Sequence, residues 1–247
     1  GWMNDTLEYF SLDPIHRSYH HNEITFSLVY AFSERYVLPF SHDEVVHGKG
    51  SMPYKIPGDD AARLATLRAF YAYQWAFPGK QLLFMGCEFG QTSEWADGRS
   101  LEWHLLDHSA HYRVHNLVKE LNTLYTEHPA LWQLDADPAG FTWLDADDNA
   151  GNTVSFLRHA QADHDGDVVA VVVNFGGADR ESLRIGVPRP GDWEVAVDTS
   201  GFDAEGTPSQ GGVVLTAEER PWHGQPYSLE VRVAGLSACY LVPRRAS

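Results

Sequence analysis

The spacing of apolar residues changes once along this 247-residue chain, near residue 130, and that change limits the architectures open to it. Before it, helical periodicity alternates with short continuous apolar runs, as in helices packed on buried strands. An amphipathic stretch over 20–34 reads as a helix, the run Tyr36-Val37-Leu38-Pro39-Phe40 as a strand, and 60–77 as a long second helix. Asp59 or Asp60 can cap that helix and Pro78-Gly79 stops it. The run Leu82-Leu83-Phe84-Met85 then reads as a strand buried on both faces. In a third helix Val114, Leu117, Val118, Leu121, Leu124 and Tyr125 repeat at helical steps, with Ser109 as its cap and Pro129 beyond its end. Such alternation over residues 1–129 predicts an α/β unit of parallel strands joined by crossover helices.

After residue 130 the runs shorten and fill with β-branched residues: 141–144, 153–157, 168–175, 183–187, 193–197, 213–216, 228–233 and 239–242. Separated by Gly, Asp, Asn and Pro clusters, with no helical stretch between them, they predict an antiparallel β-sandwich over 130–247. The segment 201–212, rich in Gly, Ser and Asp, reads as a long loop within it.

A formal charge of −16 would repel a phosphate backbone, so nucleic acid is excluded as a partner. No apolar run approaches the ~20 residues that cross a bilayer, and the first residues resemble no signal segment, so a soluble, cytoplasmic protein without a membrane partner is expected. Cys87 and Cys239 each lie inside an apolar stretch and read as buried free thiols. The chain opens on Gly1 and Trp2 within a structured segment, which suggests a piece of something longer. Its oligomeric state is not legible.

In parallel α/β architectures functional side chains gather where strands end. The strand ending at Phe40 runs into Ser41-His42-Asp43-Glu44, with His47 and Lys49 close behind, and the strand ending at Met85 runs into Gly86-Cys87-Glu88. Paired carboxylates such as Asp43 and Glu88 suggest glycoside chemistry, in which one acid protonates the leaving oxygen while the other attacks or steadies the sugar carbon. Trp95 and Trp103, beside Glu94 and Glu102, could stack on sugar rings, although either could equally be core. His104, His108, His111 and His115 have a spacing that zinc can use, but they surround the start of a helix and no H-E-x-x-H run is present, so neither a metal nor a cofactor is expected.

The run Leu38-Pro39-Phe40-Ser41-His42-Asp43-Glu44-Val45-Val46-His47-Gly48-Lys49 resembles the segment at the seventh barrel strand of bacterial glycogen branching enzymes, members of the α-amylase superfamily. Gly1-Trp2-Met3-Asn4-Asp5-Thr6-Leu7-Glu8-Tyr9, Trp75-Ala76-Phe77-Pro78-Gly79-Lys80, Leu82-Leu83-Phe84-Met85-Gly86 and Ser100-Leu101-Glu102-Trp103-His104-Leu105-Leu106 carry the same resemblance through the first half. It implies that residues 1–129 are the C-terminal part of a (β/α)8 TIM barrel and that 130–247 are the all-β domain that closes such enzymes.

The implied activity is a transfer. An α-1,4-glucan such as glycogen or amylose is cleaved through a covalent glycosyl-enzyme and passed to a 6-hydroxyl with retention. Carried over by motif, Asp43 stabilises the transition state and His42 bonds the same ring, while Glu44, Glu88, Trp95 and Trp103 remain candidates for substrate contact. The nucleophilic Asp and the acid/base Glu of such enzymes lie on earlier strands, so Asp43 and Glu88 lose ground as a catalytic pair. The chain alone is expected to be inactive and to leave two sheet edges open. Cys87 stands where the resemblance leads one to expect Asn. Competing readings are a non-catalytic glucan-binding module and another hydrolase or transglycosidase of the superfamily.

Overall fold

The computed structural model describes residues 1–161, 167–203, 206 and 212–244. Helix α1, Trp2–Ser11, turns Trp2, Tyr9 and Phe10 into the core, and the Thr6 hydroxyl donates to the Trp2 carbonyl. The helix expected over 20–34 is broken. A four-residue α2, Asn22–Thr25, gives way to a 3-10 turn over Phe26–Val29. Phe26 and Val29 point outward, so the apolar residues of this stretch do not form one buried stripe. Tyr73 also donates its hydroxyl to the Ile24 carbonyl, fixing the backbone from outside. Thr25, Phe26, Ser27 and Tyr30 are middling helix formers and cannot resist such a contact.

Strand β1, Val37–Phe40, helix α3, Asp60–Ala76, and strand β2, Lys80–Leu83, form a βαβ unit in which β1 and β2 pair in parallel from Val37↔Lys80 to Phe40↔Leu83. Asp59 caps α3 by accepting from the Ala62 amide at 2.8 Å. From Leu67 onward nearly every α3 side chain is buried, because the helix is enclosed on all sides. Gly79 follows at φ +133°, where a Cβ would lie 3.0 Å from Leu38 Cγ and 3.2 Å from the Tyr36 carbonyl.

Burial of β2 on both faces is not found. Lys80 and Leu82 are exposed, because among the described residues β2 has β1 as its one neighbour. Helix α4, Ser109–Glu127, buries Val114, Leu117, Val118, Leu121 and Leu124 as its spacing requires. Ser109 is its first residue and not its cap; His108 holds that position, and no side chain caps the end.

All eight strands expected after residue 130 are present: β3 Phe141–Asp145, β4 Thr153–His159, β5 Val168–Asn174, β6 Arg180–Val187, β7 Gly191–Asp198, β8 Val214–Ala217, β9 Tyr227–Val233 and β10 Ser237–Pro243. Six pair antiparallel in the order β3-β4-β5-β10-β7-β8, and β6 pairs with β9 in a second antiparallel sheet. Within the loop expected over 201–212, residues 204–205 and 207–211 lie outside the described residues.

Leu157, Val172, Ile185, Trp193, Leu229 and Leu241 fill the space between the two sheets. The opposite face of the larger sheet, including Phe156, Val171, Val173 and Tyr240, joins the core built by α1, α3 and α4. Strand β5, Val-Val-Ala-Val-Val-Val-Asn, is therefore buried throughout. Phe10 lies 3.9 Å from Phe70 and 5.0 Å from Phe175 between ring centroids, joining helices to sheet. The guanidinium of buried Arg17 donates to the carbonyls of Leu12, Phe10 and Phe175, and Tyr240 donates its hydroxyl to the Ala72 carbonyl. No helix among the described residues is long and apolar enough to cross a membrane.

Candidate active site at the end of the parallel strands

Strand β1 ends at Phe40, and the next residues turn at once into a 3-10 segment, His42–Glu44. The turn lifts His42 and Asp43 off the sheet, where their side chains are 58% and 67% exposed and meet at 3.2 Å, His42 Nε2 to Asp43 Oδ1. Such a pair can bind hydroxyl groups and oppose positive charge that develops on a reacting atom. Glu44 follows, half-buried. Phe84, held at the end of β2 by its amide bond to the Phe40 carbonyl (2.9 Å), places its ring 5.8 Å from His42. Trp95 packs edge-on against Phe84 at 5.2 Å, so His42, Phe84 and Trp95 form a row across both strand ends.

Two loops above this row are stitched together. The Trp95 amide donates to the Val45 carbonyl at 2.9 Å, and the Gly50 amide donates to Glu94 Oε1 at 2.7 Å. Amide bonds from Gly50 and Gly48 hold the Glu94 carboxyl below the usual range. His47, Gly48 and Gly50 all have positive φ, which the two glycines adopt freely. Burial alone would raise the Glu102 carboxyl, but the Ser93 amide and the Thr92 hydroxyl and amide together hold it low.

The remaining sequence candidates lie elsewhere. Glu88 turns its carboxylate back onto the Gly86 amide at 2.7 Å and fronts α4, lining a depression with His115, Lys119 and Asn122. Exposed Trp103 packs on Phe89 at 5.3 Å between ring centroids, and the Phe89 carbonyl meets His111 Nδ1 at 2.9 Å. The structure thus gathers His42, Asp43, Glu44 and Trp95 at one edge and places Glu88 and Trp103 toward α4. His111 is engaged by Phe89 and His115 stacks on Tyr112, and the described residues contain no group of three or more His, Cys, Asp or Glu side chains fit to hold a metal. Cys87 and Cys239 are free and buried, and burial, followed by Glu88, pushes the Cys87 thiol up to about 12. Sequence reasoning missed the Glu94 tie; the closely spaced Gly48 and Gly50 were its one signal.

Residues 143–244 match the family described as Alpha amylase, C-terminal all-beta domain, so most of the sandwich is similar to that class of domain. Over nearly its whole length the chain is similar to 1,4-alpha-glucan branching enzymes. It is 54% identical over 243 residues to that of Frankia casuarinae, covering 98% of this chain and 30% of the relative. It is 49% identical over 246 residues to that of Mycobacterium tuberculosis H37Rv, with 98% and 33% covered, and 49% identical over 247 residues to that of Rhodococcus jostii RHA1, again with 98% and 33% covered. The chain spans about a third of the length of these curated relatives. The resemblance to branching enzymes read from the first 129 residues is borne out.

Proposed function

We propose that residues 1–247 are part of a cytoplasmic 1,4-α-glucan branching enzyme, in which 1–129 supply the last part of a (β/α)8 barrel and 130–247 its closing β-sandwich. The enzyme cleaves an α-1,4-glucan and transfers the released chain to a 6-hydroxyl through two displacements, so the anomeric configuration is retained. In the first, a carboxylate forms a bond to the sugar carbon as an acid protonates the departing oxygen. In the second, the acceptor 6-hydroxyl attacks that carbon, loses its proton to the same acid/base group and frees the carboxylate. Asp43 binds ring hydroxyls and stabilises the oxocarbenium-like charge, His42 hydrogen-bonds the same ring, Glu44 and Trp95 border the sugar, and Glu88 and Trp103 contact the glucan farther along.

The nucleophile and acid/base belong to barrel strands outside 1–247, so this chain by itself lacks two members of a concerted set. The observation that carries the reading is the exposed His42–Asp43 pair at the carboxyl end of a parallel strand, in a chain about half identical throughout to branching enzymes.

The test is to incubate amylose with chain 1–247 and with a version extended upstream through the remaining barrel strands, following iodine absorbance and isoamylase-released chains. Branches are expected from the extended protein alone, and Asp43→Ala within it should cost about 100-fold or more in rate. Branching by chain 1–247 unaided would overturn the assignment and restore Asp43 and Glu88 as the catalytic pair.

A further inference from the structure

Away from the β1–β2 edge, the sandwich carries a depression of about 490 Å³ between the β3–β4 corner of the larger sheet and β6 of the smaller one. Asp145, Asp147, Arg180, Arg184, Trp222 and His223 line it. Trp222 is 39% exposed, and the guanidinium of Arg220 lies over its ring at 5.4 Å. The turn that carries it is closed by two bonds, Trp222 amide to Gln225 carbonyl at 3.0 Å and Gln225 amide to Trp222 carbonyl at 2.8 Å. It is pressed onto β6 so closely that a Cβ at Gly186 would lie 2.1 Å from the Trp222 carbonyl oxygen. The backbone that carries the indole is therefore fixed against β6.

The polar lining says what could rest on the indole. Both arginines are spent: Arg180 meets Asp148 at 3.1 Å, and Arg184 meets Glu218 at 2.9 Å and Glu230 at 3.0 Å. Neither lining arginine is left unpaired for a phosphate or carboxylate, the neighbouring Arg220 is laid over the Trp222 ring, and the −16 charge of the chain opposes an anion further. The carboxylate of exposed Asp147 accepts no hydrogen bond from the described residues, and His223 Nδ1 is shielded from solvent without a partner. An aromatic face beside an open acceptor and an unsatisfied ring nitrogen suits a neutral ligand with an apolar face and a rim of hydroxyls.

We propose that this depression binds a segment of α-1,4-glucan, with Trp222 stacked on a sugar ring and Asp147 and His223 bonded to its hydroxyls. The class of ligand rests on the branching reading above; the location does not.

Maltoheptaose titrated into chain 1–247 by calorimetry tests it, with Asp43→Ala carried throughout to weaken the sugar contacts assigned to that edge. Binding is expected in this background, weaker by about tenfold with Trp222→Ala and about fivefold with Asp147→Ala, the loss of one aromatic contact and one hydrogen bond. Thermal melts of both variants confirm the fold. No binding, or unchanged affinity in either variant, overturns the site. If the extended protein makes branches and the titration fails, only the site is lost; if no branches form, the reading above is lost whatever the titration shows.

Discussion

Glu120 lies on α4 where the helix meets β7, bordered by Tyr112, Asn116, Lys119, Thr123 and Ala196. Burial, reinforced by the charge of Asp198, pushes its carboxyl from 4.5 up to about 7. The folded chain therefore holds this proton more tightly than the unfolded chain. Its contribution is most favourable below about pH 4.5, declines as pH rises, and is fully lost above about pH 7. Glu120→Gln should remove that decline. Urea denaturation should find the variant more stable by on the order of 1 kcal/mol at pH 8, a value discounted for partial exposure, and equal to the parent at pH 4. Equal stability at both pH values would refute it. At this scale the site was half legible: His42 and Asp43 could be read because an apolar run ends directly before them. The Glu94 bond to the Gly50 amide joins loops 44 residues apart, and no local pattern announces such a contact.

Strand β4 is held to the helical layer by Arg158, whose side chain is fully buried. Its guanidinium donates to the Ala76 carbonyl at 2.6 Å, the Gly140 carbonyl at 3.2 Å and the Asp135 carboxylate at 2.7 Å. Lys80 on β2 reaches the same carboxylate at 2.8 Å, but from an exposed position. Removing the buried partner strips the donor from Asp135 Oδ1 and from two buried carbonyls, leaving Lys80 on Oδ2 alone, whereas removing the exposed one costs little. In urea, Arg158→Met should destabilise by about 3 kcal/mol or more and Lys80→Met by less than about 1 kcal/mol. Comparable losses would mean that solvent screens both contacts alike. Elements whose burial pattern is intrinsic were the ones the sequence disclosed. The eight strands could be located because turn residues bound each of them, and α3 because its apolar run is longer than any strand. The 20–34 helix failed because Tyr73, 49 residues from Ile24, decides how that backbone runs. The burial of β2 failed because an apolar run says what a strand could bury, not which neighbours are present to cover it.

One apolar cluster runs from Trp2 in α1 to Tyr240 in β10, so the βαβ unit and the sandwich share a core although their sequence patterns differ. Phe175 is at its centre, fully buried, with ring centroids 5.0 Å from Phe10, 5.6 Å from Tyr9 and 5.9 Å from Tyr73. Its carbonyl also accepts from Arg17 at 2.9 Å, so the same residue ties the sheet to the segment after α1. The outer face of the larger sheet and the helical layer thus exclude water from each other, and neither can unfold without exposing the other. The consequence reaches β1, because α3, through Gln74, donates to the Leu38 carbonyl at 2.8 Å and so ties that strand to the shared core. Urea unfolding of chain 1–247 should therefore be a single transition by far-UV and near-UV circular dichroism alike. Phe175→Ala should shift that transition by about 3–5 kcal/mol without splitting it. Two transitions in the parent chain would mean that the sandwich stands alone and that the end of β1 is positioned without it.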